Sequence, residues 1–120
     1  MLQSLLLIMT VSNFLLSQKP EIVVLCGSTR FLKEFQRANY NLTLQGKIVL
    51  SIGCDTKSDN ELNISIEQKQ ALDELHKRKI DLADRVFILN VGGYIGDSTR
   101  SEIAYAKKLK KPIDYLEKIE

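Results

Sequence analysis

Four short apolar runs divide this sequence, and each gap between them is long enough to hold a helix. Glu21–Cys26 is continuous and rich in β-branched residues, as expected of a strand buried on both faces. Lys47–Ser51, Arg85–Asn90 and Pro112–Leu116 repeat the pattern. Between the first two, Phe31, Phe35, Ala38 and Leu42 recur at helical spacing until Gly46 stops the helix. A longer helix is predicted from Ser65 to about Leu82, opened by the capping box Ser65-Ile66-Glu67-Gln68, with Leu72, Leu75 and Leu82 facing the core. A third helix runs from Ser98 to about Lys110, and Gly53–Asn63 is a polar loop. Strands alternating with helices mean βαβ units with right-handed crossovers. The fold class is therefore α/β: a small doubly wound, flavodoxin- or Rossmann-like parallel sheet of four to five strands with flanking helices.

At 120 residues, 44% hydrophobic and 27% charged, the chain makes one globular domain. A net charge of +2 gives no reason to expect a nucleic-acid polymer as partner. The basic cluster Lys107, Lys108, Lys110 and Lys111 reads as a solvated face offsetting a helix dipole. Two cysteines, Cys26 at a strand end and Cys54 in a polar loop, have no metal-type or disulfide spacing, and His76 is the one histidine. No metal site and no cofactor are expected, and the cysteine usage suits a reducing cytoplasm. Residues 1–18 form an apolar N-terminal extension ahead of the domain at 19–120. No Lys or Arg precedes Leu5–Met9, and Ser12 and Asn13 interrupt the run, which is too short to span a bilayer. An appended helix or strand packing on the domain or a partner is ranked ahead of a mis-called start codon and a signal peptide.

In an open parallel sheet, ligands bind beyond the carboxyl ends of the strands, where the strand order switches. Two loops would meet there. Gly27-Ser28-Thr29-Arg30 offers backbone N–H groups, two hydroxyls and a guanidinium, which suit a phosphate. Read structurally, Gly27 permits a turn, a hydroxyl caps the helix and Arg30 is solvated. The chain has neither a Walker A motif nor G-x-G-x-x-G, so a mononucleotide or sugar phosphate is favoured over a dinucleotide. The second loop, Asn90 to Thr99, supplies Asn90, Gly93, Tyr94, Gly96, Asp97, Ser98 and Thr99 to the same crevice.

Glu102 follows. Thr99-Arg100-Ser101-Glu102 fits a capping box, in which the carboxylate serves structure alone. The same carboxylate, held ionised by the helix dipole beside a sugar C1′, is equally suited to act as nucleophile or to stabilise an oxocarbenium ion. Departure of a base needs an acid, for which His76 and Asp97 are candidates, with Asp81 and Asp84 behind them. A lone helical histidine is more often structural, and Asp84 fits a helix-to-strand turn. Tyr94 stacks on a base, orients Glu102 or merely packs.

Taken together, Leu25–Phe31, Ile80–Asp84 and Gly93–Ile103 resemble the nucleoside 2-deoxyribosyltransferase superfamily. Within it they are most similar to small phage and bacterial members and to the 2′-deoxynucleoside 5′-monophosphate N-glycosidases. The resemblance covers about Glu21 to Leu116. It implies that Glu102 is the nucleophile, that Ser28 and Arg30 bind a 5′-phosphate with help from Ser98 and Gly96, and that the protein is a homodimer or larger homo-oligomer. Anchored on Ala83-Asp84, the family's acid-helping Asp falls near His76, and the Asn90–Asp97 loop is slightly longer than in the best-known members. The function expected is cleavage of the N-glycosidic bond of a nucleoside or nucleoside 5′-monophosphate, by hydrolysis or transfer. The alternative is a non-catalytic nucleotide-sensing module of the same fold.

Overall fold

A computed structural model of the chain describes residues 19–53 and 62–119. The N-terminal extension, most of the Gly53–Asn63 loop and Cys54 lie outside the described residues. The elements are β1 (Ile22–Cys26), a 3₁₀ turn (Thr29–Phe31), α1 (Leu32–Leu44), β2 (Ile48–Leu50), α2 (Ile66–Leu82), β3 (Arg85–Ile88), a second 3₁₀ turn (Val91–Gly93), α3 (Asp97–Lys108) and β4 (Ile113–Tyr115). The four strands form one parallel sheet in the order β2-β1-β3-β4. The chain steps from β1 outward to β2, then back across to β3. The strand order therefore reverses between β1 and β3, and the loops after these two strands share the crevice above them.

Each face of the sheet has its own core. On one, Val24, Cys26, Val86 and Ile88 pack against Ile80 of α2 and against Ile103 and Ala106 of α3. On the other, Leu25 and Leu89 pack against Phe35 and Ala38 of α1. The alternation along β1 and β3 divides the side chains between the faces. Gly27 is required by close approach: a Cβ there would lie 3.1 Å from Leu89 Cβ and 3.3 Å from the Phe35 ring. Asp84 does mark the helix-to-strand turn, its Oδ2 accepting from the Ile22 N–H at 2.9 Å. The Ser65–Gln68 capping box is present in both directions.

Two expectations need correcting. The leucines of α2 do not face the core: Leu75 is 54% and Leu82 67% exposed, whereas Ile80 is fully buried. The inward stripe runs through Asp73, His76 and Ile80, one residue away from the leucine stripe. A rotation of about 100° per residue puts Leu72 and Leu75 over the rim of the crevice instead. The basic cluster is also more than a solvated face. Lys111 Nζ reaches across to the carbonyls of Ala83 (2.6 Å) and Asp81 (3.3 Å), satisfying the C-terminus of α2. Among the described residues, no helix is long and apolar enough to cross a membrane.

This packing predicts that Ile80→Ala costs about 2–4 kcal/mol of stability in denaturant unfolding, while Leu75→Ala costs under about 1 kcal/mol. Equal losses would place the wrong stripe of α2 on the sheet.

Candidate active site

Three elements converge above the β1/β3 junction. The end of β1 leads into Gly27–Arg30, α2 contributes Lys69, Asp73 and His76, and the first two turns of α3 contribute Ser98, Thr99 and Glu102. They enclose two adjoining cavities. The inner one, of about 110 Å³, is lined by Asp73, His76 and Glu102, with Ile52, Leu72 and Leu75 as its apolar wall. The outer one, of about 370 Å³, is lined by Ser28, Arg30, Tyr94, Gly96 and Asp97. Gly27, Thr29, Lys69 and Ser98 border both.

Glu102 is not a cap. α3 begins at Asp97 with Gly96 as N-cap and no side-chain cap, which places Glu102 in the second turn, facing inward and only 6% exposed. Nor is it held ionised by the dipole. Burial, reinforced by the charge of Asp73 and opposed by Lys69 and Lys77, raises its pKa from the ordinary 4.5 to about 7. The capping-box reading fails because two residues of helix, Asp97 and Ser98, precede Thr99 once the N-cap is Gly96.

His76 lies beneath Glu102. Its Nε2 sits 3.0 Å from the Leu25 carbonyl, 3.4 Å from Cys26 Sγ and 3.6 Å from Glu102 Oε2. Burial lowers its pKa to about 4, with Lys79 adding to the effect and the Leu25 carbonyl opposing it. The imidazole is therefore neutral at pH 7, with an N–H pointed at a backbone carbonyl. That is a brace between α2 and β1 and a poor proton donor to a leaving group. Burial, followed by the charge of Glu102, pushes the Cys26 thiol well above its usual range.

Sequence reasoning missed Asp73 and Lys69. Lys69 Nζ lies 2.8 Å from Asp73 Oδ1 and 3.0 Å from Ser98 Oγ, and the Ser98 hydroxyl donates to Asp73 Oδ2 at 3.2 Å. The triangle ties α2 to the N-terminus of α3 where the two cavities meet. Its signal was in the sequence: if His76 faces inward, Asp73 one turn earlier and Lys69 two turns earlier share its face.

In the outer cavity, Ser28 Oγ accepts from the Arg30 backbone N–H (3.3 Å) and from Arg30 Nε (3.1 Å). The Arg30 guanidinium stacks 4.2 Å from the centre of the Tyr94 ring and donates to the Tyr94 hydroxyl at 3.2 Å. A Cβ at Gly96 would fall 3.2 Å from that hydroxyl, so glycine lets the tyrosine lie close. The first N–H groups of α3 have no intrahelical partner and open toward the same space.

The structure separates other expected site residues from these. Asn90 is 2% exposed, and its amide is paired with the Glu117 backbone: Nδ2 donates to the carbonyl at 3.0 Å and Oδ1 accepts from the N–H at 2.9 Å. The Glu117 carboxylate accepts from the Gly92 N–H. Asn90 thus anchors the loop to the chain after β4 and does not face the ligand space. Gly93, at φ +81°, and Gly92, at φ +63°, supply left-handed turns in that loop. Asp97 borders the outer cavity with a fully exposed side chain 4.0 Å from Arg100, away from Glu102. Tyr94 contacts Arg30 and the Phe31 ring and does not line the Glu102 cavity.

No family model and no curated protein matches the sequence. Among solved structures, the fold is similar to that of a 2-deoxyribosyltransferase from the psychrotolerant bacterium Bacillus psychrosaccharolyticus. The TM-score is 0.57 and the identity 24%, over 82% of this chain and 77% of that one. The chain therefore has a nucleoside 2-deoxyribosyltransferase-like fold.

The two shifted groups predict the pH dependence of stability. The folded protein holds the Glu102 proton more tightly than the unfolded chain, so stability falls as pH rises from 4.5 to about 7. His76 resists protonation when folded, so its contribution rises with pH from about 4 to 6.5. The slopes oppose each other over most of that range. Glu102→Gln removes the first, so the variant should exceed the parent by about 2–3 kcal/mol at pH 8 and by little at pH 4.5. Thermal unfolding at the two pH values checks this, and an equal difference at both would contradict it.

Proposed function

We propose that the protein cleaves the N-glycosidic bond of a nucleoside 5′-monophosphate, by hydrolysis or by transfer to a second base. The observation that carries this reading is the adjacency of the two cavities: a buried carboxylate with an apolar wall in one, a guanidinium and a helix N-terminus in the other, and a shared border of Lys69 and Ser98. A sugar seated at the border has its phosphate toward Arg30 and its base against Ile52, Leu72 and Leu75. The similarity in fold to a 2-deoxyribosyltransferase supports the same chemistry.

In this mechanism the ionised Glu102 attacks C1′ from one face. The C1′–N bond breaks as the C1′–O bond forms, and the base leaves as its nitrogen takes a proton from a solvent water oriented by the Asp73 carboxylate. Asp73 takes the acid-assisting place for which His76 and Asp97 were first considered, because it lines the Glu102 cavity and is bonded to Lys69 and Ser98. Attack by water, or by the nitrogen of a second base, on C1′ of the glycosyl–Glu102 ester then frees the carboxylate. Ser28, Arg30, Ser98 and the N–H groups around Gly96 hold the phosphate. The chemistry needs no cofactor, and a homodimer or larger homo-oligomer in the cytoplasm is part of the proposal.

Incubation with a panel of deoxynucleoside monophosphates, followed by chromatography, should show free base. Glu102→Gln should lower its release at least a thousandfold, and the parent rate should rise with pH through about 7 as Glu102 ionises. Tight binding without any release would leave a nucleotide-sensing module in place of an enzyme. Arg30→Ala should weaken use of monophosphates by about tenfold or more while leaving free nucleosides nearly unaffected. Equal losses for both would overturn the phosphate assignment.

A further inference from the structure

His76 Nε2 is over-subscribed. Three acceptors, the Leu25 carbonyl, Cys26 Sγ and Glu102 Oε2, converge on it at 3.0, 3.4 and 3.6 Å, yet one ring nitrogen carries at most one proton. We propose that Cys26, His76 and Glu102 form a binding site for a thiophilic divalent cation of the zinc class, and that its occupation reversibly blocks the cavity.

The geometry suits such an ion. A tetrahedral centre holding sulfur at about 2.3 Å and nitrogen or oxygen at about 2.1 Å separates sulfur from nitrogen by about 3.6 Å and nitrogen from oxygen by about 3.4 Å. The corresponding separations here are 3.4 and 3.6 Å. All three donor atoms lie within 4.8 Å of one another. The Leu25 carbonyl or a water from the inner cavity supplies a fourth donor. Because His76 and Glu102 line that cavity, the ion has a way in.

The charges also balance. A thiolate, a carboxylate and a neutral imidazole around a dication sum to zero, which a buried site tolerates far better than a lone anion. Binding displaces the thiol proton and any proton on Glu102 into solvent and shifts the ring proton of His76 from Nε2 to Nδ1, with no redox change. Spacing along the chain gave no hint of the site, since Cys26 and His76 are 50 residues apart and meet only through the β1–α2 packing. The proposal concerns the metal affinity of these side chains and stands whether or not the protein turns over a nucleotide.

Cobalt(II) is the probe, because thiolate coordination gives it a charge-transfer band that zinc lacks. Titration of the chelator-treated full chain should produce that band with a 1:1 end point, and zinc should bleach it. Cys54→Ser should retain the band, while Cys26→Ala should abolish it and Glu102→Gln should weaken cobalt binding at least tenfold. No thiolate band in the parent, or a band lost in Cys54→Ser, overturns the proposal. The Cys54→Ser result decides the matter even if Cys26→Ala fails to fold. In base-release assays, one equivalent of zinc should suppress turnover and a chelator should restore it. Turnover unaffected by stoichiometric zinc would contradict the block, whereas failure of the parent to release base would bear only on the glycosidic reading.

Discussion

The contact on which the site depends is the hydrogen bond between His76 and the Leu25 carbonyl. It joins the inward face of α2 to the end of β1 inside the core. With that bond made, α2 cannot turn its leucine stripe toward the sheet, and Asp73 and Lys69 are carried to the mouth of the crevice. The floor that results is buried, and Glu102 meets it from α3. Its raised pKa follows from that burial. A carboxylate that half-titrates near neutrality and faces an open cavity costs stability, and such a cost is commonly found where a side chain has chemistry to perform.

Around this floor the fold divides the work between its two loops. The loop after β1 is constrained by packing: Gly27 is wedged between Leu89 and Phe35, so Ser28 and Arg30 project from a fixed point. The loop after β3 is held from behind by the paired hydrogen bonds between Asn90 and Glu117. Tyr94, Gly96 and Asp97 beyond Asn90 border the ligand space. Arg30 stacked on Tyr94 joins the two loops across the outer cavity. The phosphate side is thus assembled from the loops, while the chemical side is assembled from α2 and α3.

Much of this was legible in the sequence. The alternation of β-branched runs with helical spacing was enough for the parallel sheet, for its switch point and for the two loops that meet there. Glu102, Ser28 and Arg30 were singled out by their place at strand-to-helix loops that suit an anion and by the family resemblance, although each also had an ordinary structural reading. The orientation of α2 was not legible. Its apolar residues suggest one face, while the buried face carries His76 and Asp73, and only packing against β1 chooses between stripes one residue apart. Asp73 and Lys69 were overlooked for that reason. The role of Asn90 was hidden as well, because its partner Glu117 is brought near by the register of β3 with β4. The true start of α3 at Asp97, ahead of a sequence that imitates a capping box, turned Glu102 from a surface cap into a buried group.

The central claim is that the buried Glu102 forms a bond to the sugar carbon. Trapping that bond tests it most directly. A deoxynucleoside monophosphate analogue fluorinated at C2′ slows breakdown of a glycosyl ester, and mass spectrometry of the digested protein then locates the adduct. The account predicts a sugar-phosphate increment on the peptide containing Glu102, with loss of one equivalent of base. Base release with no adduct, or an adduct on another residue, would contradict it.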